Sequence, residues 1–167
     1  NTPFGVPPFD RIESEHYLPA FRAAMKAHAD EIAAITANAD APTFENTIEA
    51  LELSGGMLSR VSRVFFAVDS ANSDDVTKET AKAVAPELSA HRDNILLDKD
   101  LFERVLAVYE QRDSLDLSPE QPHLLDETHK QFVRPGANLD DEAQARLREI
   151  NSELAELSQQ FGDNVLE

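Results

Sequence analysis

The chain has no cysteine, which excludes disulfides, thiolate metal ligands and thiol nucleophiles and leaves the redox compartment open. Long apolar runs are also missing. No segment approaches the roughly 18 residues needed to cross a bilayer, and no basic stretch followed by an apolar one marks a signal peptide. Basic residues are scarce: 15 Lys and Arg stand against 32 Asp and Glu among 167 residues, a net charge of −17. Such a field repels phosphate backbones and anionic headgroups, so nucleic acid and membrane surfaces are excluded as partners. The acids are spread over amphipathic segments rather than gathered in a tail, and they read as a solvated surface.

Several chemical motifs are lacking as well. A zinc hydrolase site of the H-E-x-x-H type needs two histidines on one helix face with a glutamate between them. None of His16, His28, His91, His123 and His129 is followed by Glu. No G-x-S-x-G elbow occurs, no Lys follows Gly55-Gly56 as a phosphate loop requires, and Asp69 to Asp75 lacks the central Gly of a calcium loop.

What remains is helix. Residues 1–13 are too rich in Pro for a helix and too apolar for a free tail, so they are expected to form an extended strap anchored by Phe4, Val6 and Phe9. A first helix is expected to start between Ser14 and Tyr17, with Leu18, Phe21, Met25, His28, Ile32 and Ile35 on one face. Thr43 is a candidate N-cap for a second carrying Phe44, Ile48, Leu51, Leu58 and Phe65, which is either kinked or split at Gly55-Gly56. Asn72 to Asp75 reads as a turn and cap before a third, with Val76, Val84, Leu88, His91 and Ile95 on one side and a kink expected at Pro86. Asp98 is expected to cap a fourth helix built on Leu101, Val105 and Val108. Ser118-Pro119-Glu120-Gln121 reads as the start of a fifth, with Ser118 as N-cap.

Asp140 is expected to cap a sixth, whose Ala143, Leu147, Ile150, Leu154, Leu157 and Phe161 repeat at helical spacing up to the last residues. With no stop signal at Val165-Leu166-Glu167 and no Met at position 1, the chain is expected to be a piece of a longer one. The expected fold is an all-α antiparallel bundle of about six helices, a single lobe over residues 1–167.

Carboxylates precede histidines in Glu13/His16, Glu87/His91, Glu120/His123 and Asp126/His129, the spacing of a di-iron carboxylate bundle. Glu13 and Glu120 fall at helix starts, where the helix dipole favours acids anyway, which weighs against a buried metal box. Glu45, Glu49 and Glu52, like Glu149, Glu153 and Glu156, line single helix sides and read as wet faces rather than acid/base pairs.

The segments Thr2-Pro-Phe-Gly-Val-Pro-Pro-Phe-Asp10, His16-Tyr-Leu-Pro-Ala-Phe21 and Ala41-Pro-Thr-Phe-Glu-Asn-Thr-Ile-Glu-Ala-Leu-Glu52 are followed in order by four more. These are Ala85-Pro-Glu-Leu-Ser-Ala-His91, Leu101-Phe102 with Arg104-Val105, Gly136-Ala-Asn-Leu139, and Arg146-Leu147 with Ile150-Asn151. Together they resemble the N-terminal region of bacterial peptidyl-dipeptidases and oligopeptidases A, in the zinc oligopeptidase family that includes thimet oligopeptidase and neurolysin. The resemblance implies a helical enzyme with two lobes flanking a narrow channel and one zinc ion at its floor, held by residues far downstream. It assigns no catalytic residue and no metal ligand to any position here, and leaves the substrate contacts unassigned. This piece would be a non-catalytic wall of the channel, partnered by the C-terminal catalytic part of the same chain and by short peptide substrates. The expected compartment is the cytoplasm, with the periplasm as the alternative. A stand-alone helical binding or scaffold module is the competing reading.

Overall fold

The computed structural model describes residues 6–166. Among them the regular structure is all helical: α1 (Tyr17–Thr36), a short α2 formed by a π turn (Phe44–Glu49) running into one α turn (Ala50–Leu53), α3 (Gly56–Asn72), α4 (Asp75–Leu96), α5 (Lys99–Glu110), α6 (Gln121–Val133) and α7 (Asp141–Leu166). Six of these have twelve residues or more.

Short-range polar chemistry sets most of the starts. Thr43 Oγ1 accepts from Asn46 N at 3.2 Å while Asn46 Oδ1 accepts from Thr43 N at 2.8 Å, a closed capping box. Asp74 caps α4 through Thr77 N (2.7 Å), Asp98 caps α5 through Leu101 N (2.8 Å) and Asp140 caps α7 through Ala143 N (2.8 Å). Each such cap contributes about 1 kcal/mol by satisfying an amide that the helix itself leaves unpaired.

The apolar stripes divide into two cores that share α1. Tyr17, Phe21 and Met25 pack with Phe65, Ala81 and Val84 from α3 and α4. Phe21 and Phe65 are fully buried and meet edge to face at 5.2 Å, an arrangement worth about 0.5–1.5 kcal/mol beyond area burial. Two turns on, Ile32 and Ile35 join Ile48 of α2, Leu101 and Val105 of α5 and Leu125 of α6 in the second core. His28 lies on the same stripe of α1, between the two.

The structure departs from expectation at several places. Phe4 lies outside the described residues. Val6 and Phe9 are 51% and 55% exposed rather than anchored, and Phe9–Arg11 is a 3-10 turn; Ile12 and Tyr17 make the packing contacts instead. The run from Thr43 to Phe65 splits: Gly55 adopts φ +69°, a left-handed conformation that glycine enters without steric cost, and α3 begins at the next residue. Helix α6 starts at Gln121 with Glu120 as its N-cap, two residues beyond the expected cap at Ser118, and half of the expected box survives as Ser118 N donating to Gln121 Oε1 at 2.8 Å. Val76 is exposed. On α7 the stripe grows exposed after Leu147: Ile150, Leu154, Leu157 and Phe161 are 38%, 54%, 57% and 71% exposed.

Candidate functional site

Three of the five histidines stand apart from one another. His16 is exposed and its Nδ1 accepts from Glu13 N at 3.1 Å. His129 stacks flat on Tyr109, ring centroids 3.9 Å apart, and burial with the nearby Arg112 charge lowers its pKa. His123 is exposed on α6. Two of the carboxylates spaced from histidines have other partners: Glu87 forms an ion pair with Arg22 at 2.7 Å, and Glu120 accepts from Ser118 Oγ at 3.2 Å. Among the described residues, no three His, Asp or Glu side chains converge as metal ligands would. Glu45, Glu49, Glu52, Glu149, Glu153 and Glu156 all sit on solvent faces.

The remaining two histidines meet across 63 residues of sequence. His91 Nε2 lies 3.0 Å from His28 Nδ1, and His28 Nε2 lies 3.2 Å from Ser54 Oγ. Ser54 Oγ donates its proton to Leu51 O at 2.7 Å, so it accepts from His28; His28 Nδ1 then accepts from His91. This bookkeeping leaves His28 with a single ring proton, on Nε2, and burial lowers the pKa values of both histidines. Beside the ring, Gly55 N donates to Glu31 Oε2 at 2.7 Å. A side chain at Gly55 would place Cβ 2.9 Å from His28 Cε1, so the left-handed glycine also makes room for the imidazole.

A second joint is built around Asn46. Its Oδ1 accepts from Thr43 N, from Thr47 Oγ1 and from Arg104 Nη2 (3.1 Å), while its Nδ2 donates to Ala41 O at 2.9 Å. Arg104, 9% exposed, also donates to Asn38 O and Asp40 O, so a buried guanidinium clasps the α1–α2 connection with carbonyl acceptors and no carboxylate. At a third joint, Asn151 Nδ2 donates to the buried Asp93 at 2.9 Å and Asn151 O accepts from Ser89 Oγ, fastening α7 to α4.

Next to the histidine pair runs the main groove. One cavity of about 570 Å³ is lined by His28, His91 and Ile95 with Arg92 and Arg134; a second, of about 630 Å³, lies between α4 and α7. The two adjoin at Arg92, Leu96, Arg134 and Pro135, which line both.

No family model matches the chain. Individual proteins do: 164 residues, 98% of this chain, are 44% identical to the dipeptidyl carboxypeptidase of Salmonella typhimurium and 41% identical to that of Escherichia coli. The oligopeptidase A of Escherichia coli is 26% identical over 166 residues. The chain is homologous to part of the dipeptidyl carboxypeptidases and oligopeptidases A. It spans about a quarter of their length, 24% in each of these three.

Against that homology the joints gain meaning, because they fall in the strings that carry the resemblance. Ala41 to Thr47 is the Asn46 hub, and Arg104 clasps it. Ala85 to His91 supplies Glu87 to Arg22, Ser89 to α7 and His91 to His28, and Asn151 closes the third joint. These residues do architectural work: they set how the helices meet. Sequence reasoning named each string but missed the buried Arg104 and the His28–His91 pair, whose partners lie 58 to 66 positions away. Among the described residues, no helix is long and apolar enough to cross a membrane.

Proposed function

We propose that this chain is the non-catalytic N-terminal lobe of a zinc-dependent oligopeptidase or peptidyl-dipeptidase, forming a wall of the channel that admits short, unfolded peptides. The observation that carries the reading is the alignment itself: 44% identity over 98% of this chain, against 24% of a dipeptidyl carboxypeptidase. A lobe of this kind contributes shape, not chemistry. Its residues do not fit the zinc ion of the parent enzyme: the chain has no H-E-x-x-H, and no ligand set converges among the described residues. No step of hydrolysis is therefore assigned to this chain. Its partner would be the catalytic remainder of the same polypeptide, and its compartment the cytoplasm.

Two measurements test this. Translating the source gene beyond Glu167 should reveal H-E-x-x-H several hundred residues downstream; an immediate stop codon would leave the stand-alone binding module as the reading. Separately, purified chain dialysed against zinc should retain no stoichiometric metal and cleave no fluorogenic peptide, and metal-dependent cleavage by the pure chain would refute the non-catalytic role.

A further inference from the structure

Helix α7 lies on α4 by its polar side. Asn151 Nδ2 donates to Asp93 Oδ1 and Arg148 Nη1 donates to Asn94 Oδ1, each at 2.9 Å. The covered residues of the helix include Gln144, Asn151, Ala155 and Gln159. Its apolar side is the one left out: exposure climbs from Ile150 through Leu154 and Leu157 to Phe161, and Val165 is 66% exposed. At 3.6 residues per turn the two sides stand about 120° apart, so α4 does not cover both. An amphipathic helix on a folded domain ordinarily does the reverse and turns its apolar stripe inward.

The spacing of the uncovered stripe defines the shape of partner it takes. Successive steps of 4, 3, 4 and 4 residues set five large side chains in one row, about 22 Å long at 1.5 Å per residue. That is the pattern by which one helix receives another. Single apolar residues on a surface are ordinary, whereas a contiguous row marks an interaction surface.

We propose that this row is the docking seam for an α-helix of the catalytic remainder of the same polypeptide, lying along α7 on the side that α4 leaves open. The inference rests on the reading of this chain as one lobe of a larger peptidase. The dipeptidyl carboxypeptidases that match the chain have about three quarters of their length outside the match, ample to supply a helix. A helix tethered in the same polypeptide acts at an effective concentration on the order of millimolar, an advantage no separate molecule has. A second copy of the chain is opposed by charge, because two bodies of −17 repel over most of their surfaces.

The lack of cysteine in the chain makes the seam open to a site-specific probe. Leu157→Cys and Phe161→Cys put a thiol on the row, and Glu156→Cys, at an exposed position on another side of α7, is the control. Each is made in the 167-residue chain and in the polypeptide translated from the full source gene. Circular dichroism checks the fold, and maleimide labelling of the introduced thiol is followed by mass spectrometry. In the 167-residue chain all three should label at similar rates. In the longer polypeptide the two seam positions should label about ten-fold or more slowly at every protein concentration, with the control unchanged. Fast labelling of the seam in the longer polypeptide overturns the docking, and leaves the lobe reading standing where the gene encodes H-E-x-x-H. A stop codon directly after Glu167 overturns both. Protection that grows with concentration in the 167-residue chain alone overturns the proposal in favour of a second copy.

Discussion

Replacing Gly55 by Ala tests the joint at the centre of the molecule. Two separable costs are expected. The left-handed φ of +69° disfavours any L side chain by about 1–2 kcal/mol. The new Cβ would also stand 2.9 Å from His28 Cε1, and the ring is not free to swing away because His91 and Ser54 hold it at 3.0 and 3.2 Å. Losing those two hydrogen bonds adds about 0.5–1.5 kcal/mol each. The sum, about 2–5 kcal/mol, corresponds to a fall in Tm of roughly 4–20 °C for a chain of this size. The assay is a thermal-melt double-mutant cycle of Gly55→Ala with His28→Ala. In the His28→Ala background only the backbone cost should remain, so the coupling should be about 1 kcal/mol or more. Effects that add within about 0.5 kcal/mol would refute the claim that the glycine exists to seat the imidazole.

Three further outcomes follow from other parts of the structure. His28 and His91 both have pKa values lowered below the ordinary 6.5 by burial, so the unfolded chain binds more protons as pH falls. Stability should be full above about pH 6.5 and decline as pH drops through the folded-state values, and in Tm measurements from about pH 5 to 8 the variant His91→Gln should show a shallower decline. Arg104→Ala strips Asn46 and two loop carbonyls of a charged donor and should cost about 2–4 kcal/mol by urea denaturation; a loss under about 0.5 would mean water replaces it without penalty. Leu101→Ala, at a fully buried position, should cost about 2–5 kcal/mol, whereas Leu154→Ala, on the exposed stripe, should stay within about 0.5 in the isolated chain.

The contrast between Leu101 and Leu154 also marks how far the sequence was legible. Caps at Thr43, Asp98 and Asp140 could be read because they join atoms three residues apart, and the stripes of α1 and α5 could be read because a core covers them. The same periodicity on α7 was read correctly as helix but says nothing about what lies opposite, and in this structure that is solvent for most of its length. Ser118 misled by two residues because Pro119 and Pro122 both suit a first turn and the packing of Leu125 and Phe132 decides between them. The choice at Gly55-Gly56 was open to local reasoning, since a kink and a break cost similar amounts; a ring from α1, more than twenty positions earlier, settles it. Arg104 was invisible for the same reason: a guanidinium looks like surface until the loop that wraps it is known.

The division of α1 between two cores bears on how the molecule breathes. Its first half is committed to Phe65 and Val84, its second to Ile48 and Leu101, and the seam between them is a polar contact through His28. Apolar packing there is interrupted, so each half can open without dragging the other fully with it. Native-state hydrogen exchange should accordingly resolve two cooperative blocks that meet near the middle of one continuous helix, with the boundary at its histidine rather than at any loop.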